Sequence, residues 1–256
     1  MSNSRKVTDP NASGKSGFLW GLVALLVIVA VVIGYIIWNG QSAKTDELAD
    51  RAVDVNMDMQ YEDNSVVLKS ANTKDDAPVV ELYEDFSCSH CSELAVASDE
   101  KMAQAIEDGK MVVHIRTLNF MDGQDDTLNF MDGQDDPEKL DGYSTQAATA
   151  ARALAEDGDV HAYWNLRKVL LEDQQDVARQ WGAEEMADAA KAFDASGDAV
   201  DKIKGMDLSA GQEFAAANYH KLEKDTGSVS SPRIFVDGEE LELTSDLGAW
   251  VDQVAK

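Results

Sequence analysis

Two short apolar runs bracket a helical stretch, and that order restricts the fold more than any other feature of the chain. Residues 78–83, Pro-Val-Val-Glu-Leu-Tyr, read as a buried strand with proline at its first position. From Cys88 to Ile106 the apolar residues recur at helical spacing, with Leu94, Met102 and Ile106 among them and Gly109 as the stop. Residues 111–116, Met-Val-Val-His-Ile-Arg, read as the next strand. Parallel strands joined through a helix imply a layered α/β sheet.

The rest of the outer sequence completes that sheet after a long interruption. Residues 144–224 are patterned as helices, with apolar faces at Ala147, Ala148, Ala151 and Leu154, then Trp164, Val169 and Leu171, then Met186, Phe193, Phe214 and Tyr219. Gly158, Gly197 and Gly227 are the expected stops. Residues 232–236 form a strand, Asp237-Gly238 a hairpin turn, and 239–243 its partner, before an amphipathic helix over 247–254. The order is β-α-β, a helical insert, then β-β-α. One segment is repeated without change: Thr117–Asp126 and Thr127–Asp136 are the same ten residues. Two such copies are too short and too few for a solenoid. We expect one copy to finish the strand before it and the other to be surplus in a surface loop. The acidic residues there lack EF-hand spacing, so no metal site is assigned.

Residues 17–38 contain no charge in 22 positions. As a helix they would extend roughly 33 Å, against a bilayer core of about 30 Å. Trp20, Tyr35 and Trp38 lie near the ends, where such rings favour the interface. Arg5, Lys6 and Lys15 precede the run and acidic residues follow it, so the N-terminus is expected in the cytoplasm. The run is longer than a signal-peptide core and lacks a small-residue cleavage site. The expected organisation is a cytoplasmic tail over 1–16, a transmembrane helix over 17–38, a linker over 39–63, and one outer domain over 64–256 with its helical insertion at about 140–226. The chain would then be a single-pass cell-membrane protein with its bulk outside the cytoplasm.

Charge narrows the partners. The 256 residues carry 48 acidic and 22 basic side chains, a formal charge of −26. Residues 1–40 hold three cations against one aspartate, so the remainder carries −28. Such a surface repels phosphate backbones, and nucleic acid is excluded as a partner.

Cys88 and Cys91 are the only cysteines, in Phe86-Ser87-Cys88-Ser89-His90-Cys91, where the first strand gives way to a helix. At a helix N-terminus, unpaired amides and the macrodipole favour an anion on the first sulfur. Cys91, one turn on, is within reach of a mixed disulfide. A structural bridge closing so short a loop would add only about 2 kcal/mol, and a metal site recruiting His90 lacks a fourth ligand. Redox chemistry remains, with Cys88 attacking and Cys91 resolving. His90 and Ser89 are expected to tune the pair, His90 by favouring the thiolate against the negative Glu84, Asp85 and Glu93.

Together the strand, this motif, the helical insert and the Ser231-Pro232 loop resemble membrane-anchored bacterial DsbA-like thiol–disulfide oxidoreductases of the thioredoxin superfamily. The likeness covers about residues 64–256. It implies a thioredoxin-like α/β fold with a helical domain between the β-α-β and β-β-α halves, preceded by one transmembrane helix. It also implies a cis-proline at Pro232 facing the disulfide, with Ser231 pairing to an extended substrate by strand addition. The family often has proline where this chain has Ser89, and valine or threonine where it has Ser231. A buried acid upstream often handles protons in such proteins, and Glu81 and Glu84 are the candidates. The expected activity is disulfide formation in exported cysteine-containing proteins, with no cofactor and a membrane oxidase restoring the bond. Its rivals are a reductase or isomerase on the same fold, and a non-enzymatic binding or metal-chaperone module.

Overall fold

The computed structural model describes residues 14–125 and 136–256. The chain divides into two units, Met1–Glu47 and Leu48–Lys256. Most of the first is helix α1, Gly14–Arg51, whose last turn belongs to the second unit. Leu19, Trp20, Leu26 and Val31 on α1 are all exposed. Among the described residues no helix is long and apolar enough to cross a membrane. The expected span over 17–38 is therefore not recovered as such.

The second unit is built on one six-stranded sheet of order β1-β2-β4-β3-β5-β6. Its strands are β1 (Asp58–Glu62), β2 (Ser65–Lys69), β3 (Val79–Asp85), β4 (Val112–Leu118), β5 (Arg233–Val236) and β6 (Glu239–Leu241). Only β3 and β4 are parallel, joined by α2 (Ser89–Glu107), and the other pairs are antiparallel. The expected β-α-β and β-β halves are thus both present, side by side at β3 and β5. The expected linker over 39–63 is not all linker, because β1 lies inside it and pairs with β2 in the sheet. Its sequence, Asp-Met-Gln-Tyr-Glu, buries only Met59 fully and hides the strand among polar residues.

Between the halves come α3 (Tyr143–Asp157), α4 (Val160–Glu172), α5 (Gln174–Val177), α6 (Ala183–Ala192), α7 (Gly197–Gly205) and α8 (Leu208–Thr226); α9 (Ala249–Val254) ends the fold. Gly158 and Gly227 stop α3 and α8 in left-handed conformation, as expected. Gly197 instead opens α7, capped by Ser196. Gly211 is needed for contact: a Cβ there would lie 2.2 Å from Thr149 Oγ1 and 2.5 Å from the Thr145 carbonyl, so its absence lets α8 close on α3.

The first copy of the repeat finishes β4. Thr117 and Leu118 are buried strand residues, and Phe120–Asp125 then forms a 3₁₀ turn. Asp122 in that turn caps α3 from a distance, accepting from the Ser144 and Thr145 amides and from Thr145 Oγ1, each at 2.8 Å. The helix needs this because its own N-cap is Gly142, which has no side chain. The second copy, up to its last residue Asp136, lies outside the described residues.

Candidate active site

The cysteines sit where the sequence places them, at the end of β3 and the start of α2. Cys88 is the N-cap residue of α2, extended at φ −82° and ψ 117°. Its carbonyl accepts from the amides of Cys91 (3.0 Å) and Ser92 (3.2 Å). Both cysteines are free, and Cys88 and Cys91 are 6% and 2% exposed. Gln174, the first residue of α5, clamps the loop: its amide nitrogen donates to the carbonyls of Phe86 (2.8 Å) and Cys88 (3.1 Å). The Ser231–Pro232 bond is cis, and the Cys88 thiol donates to the Ser231 carbonyl at 3.4 Å.

These surroundings split the two thiols. A hydrogen bond from Cys91 is the largest influence on Cys88; burial opposes it, while Ser231 and the amides of Cys91 and His90 add to it. Together they bring its pKa down to about 5 from 9.0. The Cys91 thiol goes the other way, well above 9.0, because burial and its neighbour Cys88 both disfavour a second anion. The Ser231 hydroxyl is buried without a hydrogen-bond partner among the described residues. That leaves its proton free for a sulfur that becomes charged.

The expected tuning residues divide. His90 acts through its backbone: its amide faces Cys88, whereas its imidazole is 74% exposed and meets Glu93 Oε2 at 3.2 Å. The tuning expected of the ring is corrected accordingly, since the side chain points into water. Ser89 is exposed in the first turn of α2.

Neither proposed proton carrier faces the sulfurs. Glu81 is held by Arg116, Nε to Oε1 at 2.6 Å, with Lys221 at 3.7 Å. Glu84 is buried in a bidentate pair with Arg167, at 2.8 and 2.7 Å, and Arg167 also binds Asp99 at 2.5 Å. This triad ties β3 and α2 to α4 and engages both Glu84 oxygens with Arg167.

Asp85, which sequence reasoning treated only as a nearby charge, lies closer to the chemistry. Its amide donates to Cys91 Sγ at 3.5 Å, and its carboxyl is fully buried. Burial raises that carboxyl's pKa to about 7 against the pull of hydrogen bonds from Ser144, Ser87 and Met121. Among the described residues, no group of three or more His, Cys, Asp or Glu side chains is arranged to hold a metal ion.

Residues 73–255 match the thioredoxin family. The chain belongs to the thioredoxin family. Among solved structures, the MdbA protein, a thiol-disulfide oxidoreductase from Corynebacterium diphtheriae, is 41% identical with a TM-score of 0.70, over 80% of this chain and 98% of that one. The MdbA protein of Corynebacterium matruchotii, also a thiol-disulfide oxidoreductase, is 35% identical with a TM-score of 0.72, over 83% and 99%. DsbA from Mycobacterium tuberculosis in its oxidised form shares the fold at 18% identity and a TM-score of 0.54, over 75% and 92%. No curated protein matches the chain. This thioredoxin-family protein is a thiol–disulfide oxidoreductase.

Proposed function

We propose that the chain is an extracytoplasmic dithiol oxidase that donates its disulfide to exported cysteine-containing proteins. The single observation carrying this direction is the split between the thiols: a first sulfur stable as an anion near pH 5 and a second kept protonated. A stable reduced form makes the disulfide a strong oxidant.

On this reading catalysis is two successive thiol–disulfide exchanges, with Asp85, whose amide meets Cys91 Sγ at 3.5 Å, as the acid. A substrate thiolate, lying along the Ser231–Pro232 segment, attacks Cys88 Sγ. The Cys88–Cys91 bond breaks and Cys91 leaves with the electron pair. Its high affinity for a proton is met by the Asp85 carboxyl, which ends ionised. The second substrate thiolate then attacks the first substrate sulfur, forming the substrate disulfide and releasing Cys88 as thiolate. The enzyme has gained two electrons, and the proton now on Cys91 is the one Asp85 gave up, so a proton from solvent must recharge the carboxylate. A membrane oxidase that withdraws those electrons closes the cycle.

Two features support a membrane location. The 22 uncharged residues over 17–38 lie within a helix of 38 residues, and the apolar side chains described over 19–32 are exposed. A soluble chain rarely leaves so large an apolar surface uncovered. Lipid around 17–38, with Arg5, Lys6 and Lys15 in the cytoplasm, satisfies it. Equilibration of the full chain with glutathione tests the direction. A potential near the DsbA end of the range, about −120 mV, supports an oxidase, and one near the thioredoxin value of about −270 mV makes it a reductase. A Cys91→Ala variant should accumulate mixed disulfides through Cys88; if none form, the exchange mechanism is wrong.

A further inference from the structure

The buried carboxyl of Asp85 is connected to the surface by two hydroxyl groups. Asp85 Oδ1 accepts from the Ser87 amide at 2.9 Å and from Ser144 Oγ at 2.5 Å, while Oδ2 accepts from the Met121 amide at 3.1 Å. Ser144 Oγ is in turn 2.7 Å from Ser87 Oγ. Ser144 has no exposure, whereas Ser87 is only half-buried. The heavy atoms therefore form an unbroken line from carboxyl to solvent.

Each hydroxyl has one proton to donate and two lone pairs to accept. With Asp85 ionised, Ser87 donates to Ser144 and Ser144 donates to the carboxylate. With Asp85 protonated, the carboxyl donates to Ser144, Ser144 to Ser87, and Ser87 to water. The direction of the line reverses when the carboxyl titrates, and no heavy atom needs to move. Ser144 is fixed independently of its hydroxyl, because its amide is held by Asp122. Gly142 allows that approach, since a Cβ there would lie 2.5 Å from Asp122 Oδ1.

We propose that Ser144 and Ser87 are a two-hydroxyl wire that returns protons from solvent to Asp85 in each oxidation cycle and carries them out in the reverse reaction. The inference rests on Asp85 as the acid for Cys91 and adds how that acid is recharged. The balance is simple: water gives a proton to Ser87 Oγ, Ser87 passes its own to Ser144, and Ser144 passes its own to the carboxylate. One proton enters and both serines are left neutral. The helical insertion supplies Ser144 and the active-site loop supplies Ser87, so neither half of the fold holds the route alone. Both serines are positioning residues that act through Asp85.

A conduit alters rates in both directions and leaves the equilibrium between them untouched, whereas a purely structural or electrostatic contact alters the equilibrium. The test uses the full chain and a dithiol peptide, with oxidation and its reversal followed by acid quench and thiol alkylation, and the equilibrium with glutathione measured alongside. Asp85→Asn should slow both directions by about 100-fold. Ser144→Ala and Ser87→Ala should each slow both by on the order of tenfold, with the equilibrium constant within about twofold of the parent and the rate restored by Ser144→Thr. Parent rates in both alanine variants, with Asp85→Asn slow, overturn the wire and leave Asp85 in its role. Parent rates in Asp85→Asn overturn both. An alanine variant whose equilibrium constant moves as far as its rate also overturns the wire, because the hydroxyl then acts only by holding charge.

Discussion

The potential of this enzyme should change its pH dependence at about pH 5, where Cys88 loses its proton. Reducing the disulfide takes up two electrons and, below that pH, two protons. Above it Cys88 remains a thiolate and only Cys91 binds a proton. For a two-electron couple each proton contributes about 30 mV per pH unit. The potential should therefore fall by about 60 mV per unit below pH 5 and by about 30 mV per unit above it. Linkage gives the sign for stability. The Cys88 pKa is depressed in the folded dithiol form from 9.0 to about 5, so between those values the unfolded chain binds the extra proton. The folded dithiol form then gains about 1.4 kcal/mol per unit as pH rises through that window, and loses the gain as pH falls through about 5. At pH 7, two units into the window, the contribution reaches at most about 3 kcal/mol, or about 60 mV, before screening by the solvent at the rim of the site. Cys91 adds nothing there, because its raised pKa keeps it protonated. Asp85 enters only as far as its own pKa differs between the two redox forms. Equilibration with glutathione buffers from about pH 4 to 9, with ultraviolet absorbance following the thiolate, measures both the slope and its break. A slope that stays near 60 mV per unit through pH 7 would refute the assignment of Cys88 as the stabilised anion.

The fold makes three further predictions. Arg167→Ala should destabilise the protein by about 3–5 kcal/mol, because it strands Glu84 and Asp99 as buried charges; a loss below about 1 kcal/mol in urea unfolding would show that water reaches them. Gly211→Ala should cost about 1–3 kcal/mol through the clash with α3, and an unchanged melting temperature would mean the α3–α8 contact is looser than described. Removal of either copy of the repeat gives the same protein, because the copies are identical and adjacent. That protein retains Leu118, Asn119 and Asp122, so its unfolding midpoint and peptide oxidation rate should match the parent; a marked loss of either would assign the second copy a structural role.

What could be read from the sequence was what local pattern decides. The strands at β3 and β4, the helix between them and the terminal hairpin follow from short-range periodicity. The sulfur pair at the strand-to-helix junction was visible for the same reason. What escaped depends on partners far along the chain. Glu81, Glu84 and Asp85 look alike as charges on one strand, yet Arg116, Arg167 and Ser144 give them three different fates. Ser144 and Arg167 lie 59 and 83 residues from their carboxyl partners, and nothing local announces either pairing. Gln174, 86 residues from Cys88, was missed on the same ground. His90 was misjudged because motif spacing fixes where a residue sits on the helix, while the open surface around it let the ring turn toward Glu93.

The surroundings of Cys88 come from widely separated parts of the chain: its own loop, Gln174, and Ser231 with Pro232. A polypeptide emerging N-terminus first presents both thiols to its surroundings long before the last of these arrives. Until then each is an ordinary cysteine, mostly protonated at neutral pH and slow to exchange. Reactivity is in this sense a late product of folding, acquired only once Ser231 and Pro232 have been made. With no third cysteine in the sequence, the immature protein also has no sulfur of its own with which to form a wrong bond.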